Sequence, residues 1–337
     1  MQRVQKDSFI RRFLKKKTTT IFLVLAGMCL VLGIANKSFF NYENLASVAR
    51  ATAYTAILSI GELLVILICG IDLSVGSICG LSAVVTAMML AQFGWALFPA
   101  ILLGLIAGLV VGVINGALIV TMKLPPFIAT MGTTQIINSV ALLLTNGKPV
   151  LGLGDKFLFI GQGKVLYLPV AVWILIAVAV IASLFLNKTV TGRKLYALGG
   201  GEEAARFSGV RTNLLKFVTY VISGFTAAMC GIILCARMGS AQGSTGAGYQ
   251  MDAIASCVIG GASMAGGEGN VSGTIIGAGI MCVIRNALVM LSVSTYLQSM
   301  IIGFIIIAAV MIDQFRRASA NRIQKAVIAE ATAERNA

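Results

Sequence analysis

The chain has 337 residues, of which 58% are hydrophobic and 11% are charged, and its formal net charge is +14. A soluble domain carries about 25% charged residues because its surface faces water, so most of this chain's surface must face lipid. The composition predicts an all-α polytopic membrane protein, and it excludes a soluble enzyme, a secreted disulfide scaffold and a disordered chain.

Ten apolar segments are candidates for membrane spans. A bilayer core of about 30 Å needs about 20 apolar residues per helix, and ten segments meet or approach that length. The eighth is short and glycine-rich, which predicts a broken or partial span. The segments are 18–36, 50–69, 75–92, 95–121, 126–145, 167–186, 214–236, 251–265, 272–293 and 296–312.

The basic residues indicate an orientation. The basic residues before the first span are compatible with a signal peptide or with an uncleaved first span, and the later charge pattern favours the second. With the N-terminus inside, 19 of the 26 basic residues fall on the inner side and six on the outer side, while Arg285 lies within a span. Cytoplasmic loops are enriched in Lys and Arg, so we expect a cytoplasmic N-terminus (1–17), a membrane domain (18–313) and a cytoplasmic tail (314–337). The charge needs no nucleic-acid partner.

Glycines mark two features of the spans. Gly104, Gly108, Gly112 and Gly116 recur at every fourth position, which predicts a helix face that a neighbour approaches closely. Clustered glycines in 259–270 predict a re-entrant or interrupted segment near the cytoplasmic side, because such a cluster weakens a helix. Residues 113–119 and 283–289 share four of seven identities, a faint indication of an inverted repeat.

Polar residues inside the spans are candidates for a translocation pathway. Insertion of Arg at a helix centre costs about 2.5–3.5 kcal/mol, so such residues face the bundle interior. For Glu62 and Arg285 two interpretations are open: they pair with each other, or each serves the pathway. Amides, hydroxyls and few charges suit a neutral, polyhydroxylated solute. The other candidates on the spans are Asn115, Thr130, Thr133, Asn138 and Asn286.

The connection 187–216 contains Gly-Gly-Gly-Glu-Glu-Ala at 199–204, which fits the start of a dinucleotide-binding fingerprint. That fingerprint needs a βαβ unit of about 30 residues, which this connection is too short to hold. Instead, 202–207 predicts a short helix with acidic residues at its positive end. With Phe207 exposed, this helix either docks into a groove on a partner or lies on the membrane surface.

Five motifs in order resemble one family. They are Gly-Ile-Asp-Leu-Ser-Val-Gly-Ser at 70–77, Leu-Pro-Pro-Phe-Ile-Ala-Thr-Met-Gly-Thr at 124–133, Gly-Arg through Gly at 192–209, Gly-Tyr through Ala at 248–255, and Val-Ile-Gly-Gly-Ala-Ser at 258–263. Together they resemble the permease subunits of monosaccharide ABC importers of the ribose, xylose and galactose group, and the resemblance covers nearly the whole chain.

The resemblance implies a vitamin B12-type (type II) fold with about ten transmembrane helices and inverted repeats. It implies a second permease copy or paralogue, a periplasmic or lipid-anchored sugar-binding protein outside, and ATPase subunits inside that bind ATP and Mg. It also implies a bacterial inner membrane location, and it adds Asp72 and Asp252 to the pathway. Residues of the ATPase-coupling loop are Gly192, Arg193, Tyr196, Gly199, Gly200, Glu203, Ala204, Ala205, Arg206, Phe207, Ser208 and Gly209. Gly201-Glu202 departs from the family pattern.

The chain itself is expected to bind no cofactor or metal and to be no enzyme. It contains no histidine, which excludes the common His-based catalytic and metal sites. Its seven cysteines lie in apolar stretches without CxxC spacing, so they are expected to be small buried residues. Two functions are weighed: the permease of an ATP-driven sugar importer, and an ion-coupled secondary transporter. The sugar stays open, as does the choice between identical and related permease partners.

Overall fold

The computed structural model describes residues 17–336, with side chains described for 18–315. The side chains of residues 1–17, predicted to form the cytoplasmic N-terminus, and of the C-terminal tail from Arg316 onward lie outside this range. Within the described range the chain forms thirteen α-helices, one 3₁₀ turn and one small hairpin. The helices are α1 (Lys17–Ala35), α2 (Tyr42–Leu67), α3 (Val75–Ala91), α4 (Leu97–Val120), α5 (Pro126–Thr145), α6 (Asp155–Gln162), α7 (Val170–Lys188), α8 (Val190–Gly200), α9 (Glu202–Phe207), α10 (Thr212–Met238), α11 (Tyr249–Ile259), α12 (Val271–Met290) and α13 (Thr295–Asn336). Between α6 and α7, β1 (Lys164–Val165) pairs antiparallel with β2 (Leu168–Pro169).

Eight of the described helices are long and apolar enough to cross a membrane: α1, α2, α4, α5, α7, α10, α12 and α13. The predicted third and eighth spans fall short, since α3 has 17 residues and α11 has 11. The multi-span membrane architecture is confirmed, and the short α11 agrees with the predicted broken or partial eighth span, whereas the expected number of about ten membrane helices stays a prediction. The length rule assumes that a helix crosses the whole bilayer, whereas α3 and α11 each follow a non-helical segment that packs inside the protein.

The core is built around α2, which is buried at every position from Ala53 to Leu67. The glycine face of α4 packs against α10, as its spacing predicts. A Cβ atom added at Gly108 would lie 2.5 Å from the Ala228 Cβ, and one added at Gly112 would lie 2.6 Å from the Tyr220 carbonyl oxygen. Side chains on this face of α4 would push the two helices apart.

The two ends of α2 define the two ends of the molecule. At its start, the Tyr42 hydroxyl donates to the Tyr167 carbonyl oxygen at 2.7 Å, and the Lys164 ammonium lies 2.9 Å from Glu43. We call this the hairpin end. At the other end, which we call the α9 end, the Leu67 carbonyl oxygen accepts a 2.9 Å hydrogen bond from the Gly267 N–H.

Two non-helical segments flank α11. The predicted interruption at 259–270 is confirmed, since α11 ends at Ile259 and α12 begins at Val271. Gly266 and Gly267 have φ values of +81° and +73° there, a conformation that favours glycine.

The second segment, 239–248, agrees with the connection predicted between the spans 214–236 and 251–265, but the sequence analysis did not predict that this connection packs inside the protein. It leads from the end of α10 to Tyr249, whose ring lies 5.6 Å from that of Tyr54, midway along α2. It packs so closely on α3 that a Cβ at Gly80 would overlap the Gly243 carbonyl oxygen. Non-helical backbone at membrane depth is tolerated where protein buries it or where it lines a cavity.

None of the seven cysteines forms a disulfide, and five of them are buried as expected. For Cys69 the expectation is wrong, because this residue is exposed. It lies just past the end of α2 with a φ of +62°, where the chain turns at the α9 end.

Candidate functional site

A buried polar network surrounds Asp72, in the turn between α2 and α3. One carboxylate oxygen accepts hydrogen bonds from the Ser74 N–H at 3.0 Å and the Ser74 hydroxyl at 2.6 Å. The other accepts from the Ser223 hydroxyl on α10 at 2.8 Å. Asp side chains commonly accept a hydrogen bond from the backbone N–H two residues further along the chain, which stabilises a turn. Asp72 thus both shapes the turn and ties it to α10.

Three further helices hold the same turn. The Glu62 Oε1 on α2 accepts from the Asp72 N–H at 3.1 Å, the Asn115 amide on α4 donates to the Ser74 hydroxyl at 2.8 Å, and the Thr130 hydroxyl on α5 accepts from the Leu73 N–H at 3.2 Å. Within the described part of the chain, the Glu62 Oε2 and the Asn115 Oδ1 have no hydrogen-bond partner.

The predicted pathway residues of this network are closed off from solvent. Glu62, Asp72, Asn115 and Thr130 are fully buried, and Thr133 beside them is buried as well. In this conformation Glu62, Asp72, Asn115 and Thr130 hold the α2–α3 turn against α4, α5 and α10, and the buried residues line no open channel. Their role in transport stays a prediction.

A second polar cluster contains Arg285, whose partner differs from the predicted one. The interpretation in which Arg285 pairs with Glu62 is wrong, because the Arg285 Nη2 lies 2.8 Å from both Asp252 oxygens. Asp252 reaches Arg285 because α11 begins midway along α2. Next to this pair, Asn286 exchanges side-chain hydrogen bonds with Asn44 on α2, at 2.7 and 3.2 Å.

One uncovered face of α5 carries polar residues among its exposed apolar ones, and we call it the polar face of α5. Gly132, Gln135 and Ser139 are exposed at spacings of three and four residues, and the predicted pathway residue Asn138 is half-buried beside them. Polar side chains facing lipid are costly, so water or another protein surface is expected to cover this face. The segment 239–248 lies alongside, since a Cβ at Gly243 would contact the Leu142 side chain. The sequence analysis did not name Gln135 and Ser139 as candidates, although two polar residues inside an apolar span could have indicated them.

The predicted coupling loop is helical and partly exposed. The fingerprint-like glycines end α8, and Glu202 begins α9, so the match to a dinucleotide site is coincidental. Ala205 is buried and a 2.6 Å ion pair joins Glu202 to Lys216 on α10. The remaining α9 residues and the two that follow point outward, with Phe207 84% exposed. The exposed positions are Glu202, Glu203, Ala204, Arg206, Phe207, Ser208 and Gly209.

Helix α8 contacts the chain breaks that follow α2 and α11. The Thr189 hydroxyl accepts from the Gly192 N–H and caps the start of α8, whereas Arg193 and Gly200 are exposed. At its other end Gly199 is so close that an added Cβ would overlap the Leu67 carbonyl oxygen and the Gly267 nitrogen. The Tyr196 hydroxyl donates to the Gly269 carbonyl oxygen at 2.8 Å. Burial raises the pKa of Tyr196 above its ordinary value, so alkaline pH does not readily remove the proton of this donor.

These features define a multi-span membrane protein with buried polar turns and a short exposed helix at one end. In the part of the chain that the structure describes, no group of three or more Cys, Asp or Glu side chains is arranged to hold a metal ion.

Residues 44–310 match the family described as the permease component of the branched-chain amino acid transport system, and the chain belongs to that family. It is 37% identical over 310 residues to the ribose import permease protein RbsC of Haemophilus influenzae, covering 91% of this chain and 95% of that protein. It is 39% identical over 299 residues to the RbsC protein of Bacillus subtilis (88% and 92%), and 35% identical over 294 residues to the D-allose transport system permease protein AlsC of Escherichia coli (87% and 90%). No solved structure matches the chain.

Proposed function

We propose that this chain is the membrane permease subunit of an ABC importer that moves a neutral monosaccharide, with a separate ATPase supplying the energy. The observation that carries the proposal is the exposed helix α9, joined through α8 to the turns at 67–70 and 260–270. The names of the relatives, which import ribose and D-allose, support a sugar as the solute.

The contacts of α8 suggest how ATP hydrolysis would be used. A partner that binds α9 would move α8 with it. Gly199 and Tyr196 would transmit this movement to both turns, because Gly199 packs directly against the Leu67 carbonyl oxygen and the Gly267 nitrogen and Tyr196 is hydrogen-bonded to Gly269. Tilting of the short helices α3 and α11, which adjoin these turns, would then open one end of the molecule and close the other. ATP and Mg would be bound by the partner subunits.

Other parts of the assembly follow the same proposal. A second permease, identical or related, would cover the polar face of α5 and complete the pathway with it. The hairpin end would face a periplasmic or lipid-anchored sugar-binding protein, and the α9 end would face the cytoplasm with both termini of the chain. The fold would be of the vitamin B12-importer type with inverted repeats, in a bacterial inner membrane.

Replacing Phe207 with alanine is expected to lower sugar-stimulated ATP hydrolysis by at least about tenfold, which corresponds to 1.4 kcal/mol of lost docking energy. The thermal unfolding midpoint should not move, since this side chain packs on little of its own protein. Glu203→Ala and Arg206→Ala should act in the same direction. The measurement is ATP turnover by permease reconstituted with its ATPase and binding protein, and Phe98→Ala, an equally apolar and exposed position on α4, is the matched control.

The same variants separate the importer from an ion-coupled secondary transporter. In the secondary transporter, α9 has no partner, and Glu203→Ala, Arg206→Ala and Phe207→Ala would leave solute uptake nearly intact. Uphill uptake by the purified chain alone, in vesicles carrying only an ion gradient, would contradict the proposed function.

A further inference from the structure

A cavity of about 260 Å³ lies between α2, α10, α11 and α12. On α2 it reaches from Ser47, near the hairpin end, to Tyr54, about 18 Å along the helix from its start. On α12 it reaches Val289, one residue before that helix ends, and Val289 is 60% exposed. The cavity therefore begins near the membrane boundary at the hairpin end and extends toward the middle of the bundle.

Two arginines line this cavity, and the described residues that line it include one carboxylate for both. The Arg285 Nη2 lies 2.8 Å from both Asp252 oxygens, so this pair is neutral. Arg237 donates to the hydroxyls of Tyr54 and Ser47, and its guanidinium lies over the Tyr54 ring, 5.3 Å from the ring centre. Since these contacts are with neutral groups, two positive charges face one negative charge and the cavity keeps a net charge of +1.

Both guanidinium groups have N–H donors that none of these contacts uses. A guanidinium carries several N–H donors, whereas Arg285 uses Nη2 alone toward Asp252 and Arg237 uses Nη1 and Nη2 once each. The Arg285 side chain is 44% exposed although it lies on a spanning helix, where an arginine is costly unless water or polar groups surround it. An anion in the cavity would satisfy these donors and the uncompensated charge together.

The chemistry of the cavity favours the phosphate group of a diester. The planar guanidinium fork matches phosphate oxygens and binds them with strong, charge-assisted hydrogen bonds. A phosphodiester carries a single negative charge, which would neutralise the cavity. A doubly charged phosphate would instead leave a negative charge beside Asp252, which is almost fully buried, and a buried charge without a partner is costly.

The apolar part of the lining indicates a phospholipid as the source of this phosphate. Val48 and Ala51 on α2 and Val289 on α12 line the cavity beside the arginines. Arg285 lies five residues before the end of α12, which is about 7.5 Å along the helix, and long arginine side chains near helix ends reach the headgroup region. Lipid phosphates are concentrated there, and the carbon atoms attached to them would find the apolar side chains.

We propose that this cavity binds one anionic phospholipid, with its phosphodiester between Arg237 and Arg285 and its glycerol carbons against Val48 and Val289. The lipid would fill the space between α2 and α12 at the hairpin end. Arg285 and Asp252, which the sequence analysis assigns to the translocation pathway, would then serve lipid binding. The inference concerns this chain alone and does not rest on the proposed function.

Native mass spectrometry of the delipidated full-length chain in detergent tests the proposal. The first dioleoyl-phosphatidylglycerol should bind at least about tenfold more tightly than dioleoylglycerol, which has the same acyl chains and no phosphate. Dioleoyl-phosphatidylethanolamine should also bind more weakly than phosphatidylglycerol, because its ammonium adds a positive charge near the arginines. Inorganic phosphate at the same concentration should not displace phosphatidylglycerol, which separates the lipid from free phosphate as the ligand.

Three variants locate the binding. Arg237→Gln removes the charge that has no carboxylate partner and should weaken the first phosphatidylglycerol at least about tenfold. Lys148→Gln removes the same charge from an exposed position between α5 and α6 and, as the control, should change binding by less than about twofold. Asp252→Asn covers the case in which Arg237→Gln does not fold. It frees Arg285 and raises the charge of the cavity, so binding should become at least about threefold tighter.

Equal affinity for phosphatidylglycerol and dioleoylglycerol would overturn the proposal, as would displacement of the lipid by inorganic phosphate. A loss in Lys148→Gln as large as that in Arg237→Gln would also overturn it, because the lipid would then respond only to the overall charge of the protein. Weaker binding to folded Asp252→Asn would contradict the role of the cavity's charge. None of these measurements needs an ATPase or a sugar, so their outcome leaves the proposed function to its own tests.

Discussion

Replacing Gly199 with alanine is expected to lower the unfolding midpoint and to abolish ATP-coupled uptake. The added Cβ would overlap the Leu67 carbonyl oxygen and the Gly267 nitrogen, both of which are backbone atoms that cannot rotate away. Overpacking of this kind costs typically about 1–3 kcal/mol. Relief requires α8 to move off the turns at 67–70 and 260–270, which would break the connection from α9 to the spans.

The neighbouring residue provides a matched control. Gly200 follows directly, and a Cβ added there meets nothing within 4 Å. Gly200→Ala should therefore leave the contact of α8 with the turns intact and shift stability by no more than about 1 kcal/mol, in the stabilising direction. The measurements are thermal unfolding of the purified chain and sugar-stimulated ATP hydrolysis in the reconstituted importer. Equal unfolding midpoints and equal rates of ATP hydrolysis for Gly199→Ala and Gly200→Ala would show that α8 does not pack tightly against the turns at 67–70 and 260–270.

Replacing Asp72 with alanine should destabilise the protein by at least about 3 kcal/mol. The change removes three hydrogen bonds at once, and it leaves the Ser74 N–H and the Ser223 hydroxyl buried without the carboxylate that accepts from them. Asp72→Asn should cost less, because it keeps the shape and one serine hydroxyl can turn to accept from the new amide. Chemical unfolding in detergent micelles, followed by tryptophan fluorescence, measures the difference.

An exposed aspartate serves as the control for Asp72. Asp155 lies in the first turn of α6, where its loss removes only a favourable interaction with the helix dipole, about 0.3–1 kcal/mol. A cost for Asp72→Ala no larger than that for Asp155→Ala would mean that the α2–α3 turn does not depend on this carboxylate.

Several local features followed from the sequence because each depends on residues close together in the chain. The four-residue glycine spacing predicted the close contact of α4, the glycines around 266 predicted the break before α12, and the acidic start at Glu202 predicted α9. The low charge content predicted the membrane environment. Orientation from the basic residues stays a prediction.

The tertiary structure decided which polar residues, far apart in the sequence, form hydrogen bonds and ion pairs with each other. The Ser223 hydroxyl meets Asp72 from 151 positions away. Arg285 pairs with Asp252 because the connection 239–248 packs inside the protein, so that α11 begins midway through the molecule. Hydrophobic pattern and span length describe one helix at a time. The depth and rotation of one helix against another depend on packing across the whole bundle, so only the folded chain shows which polar groups meet.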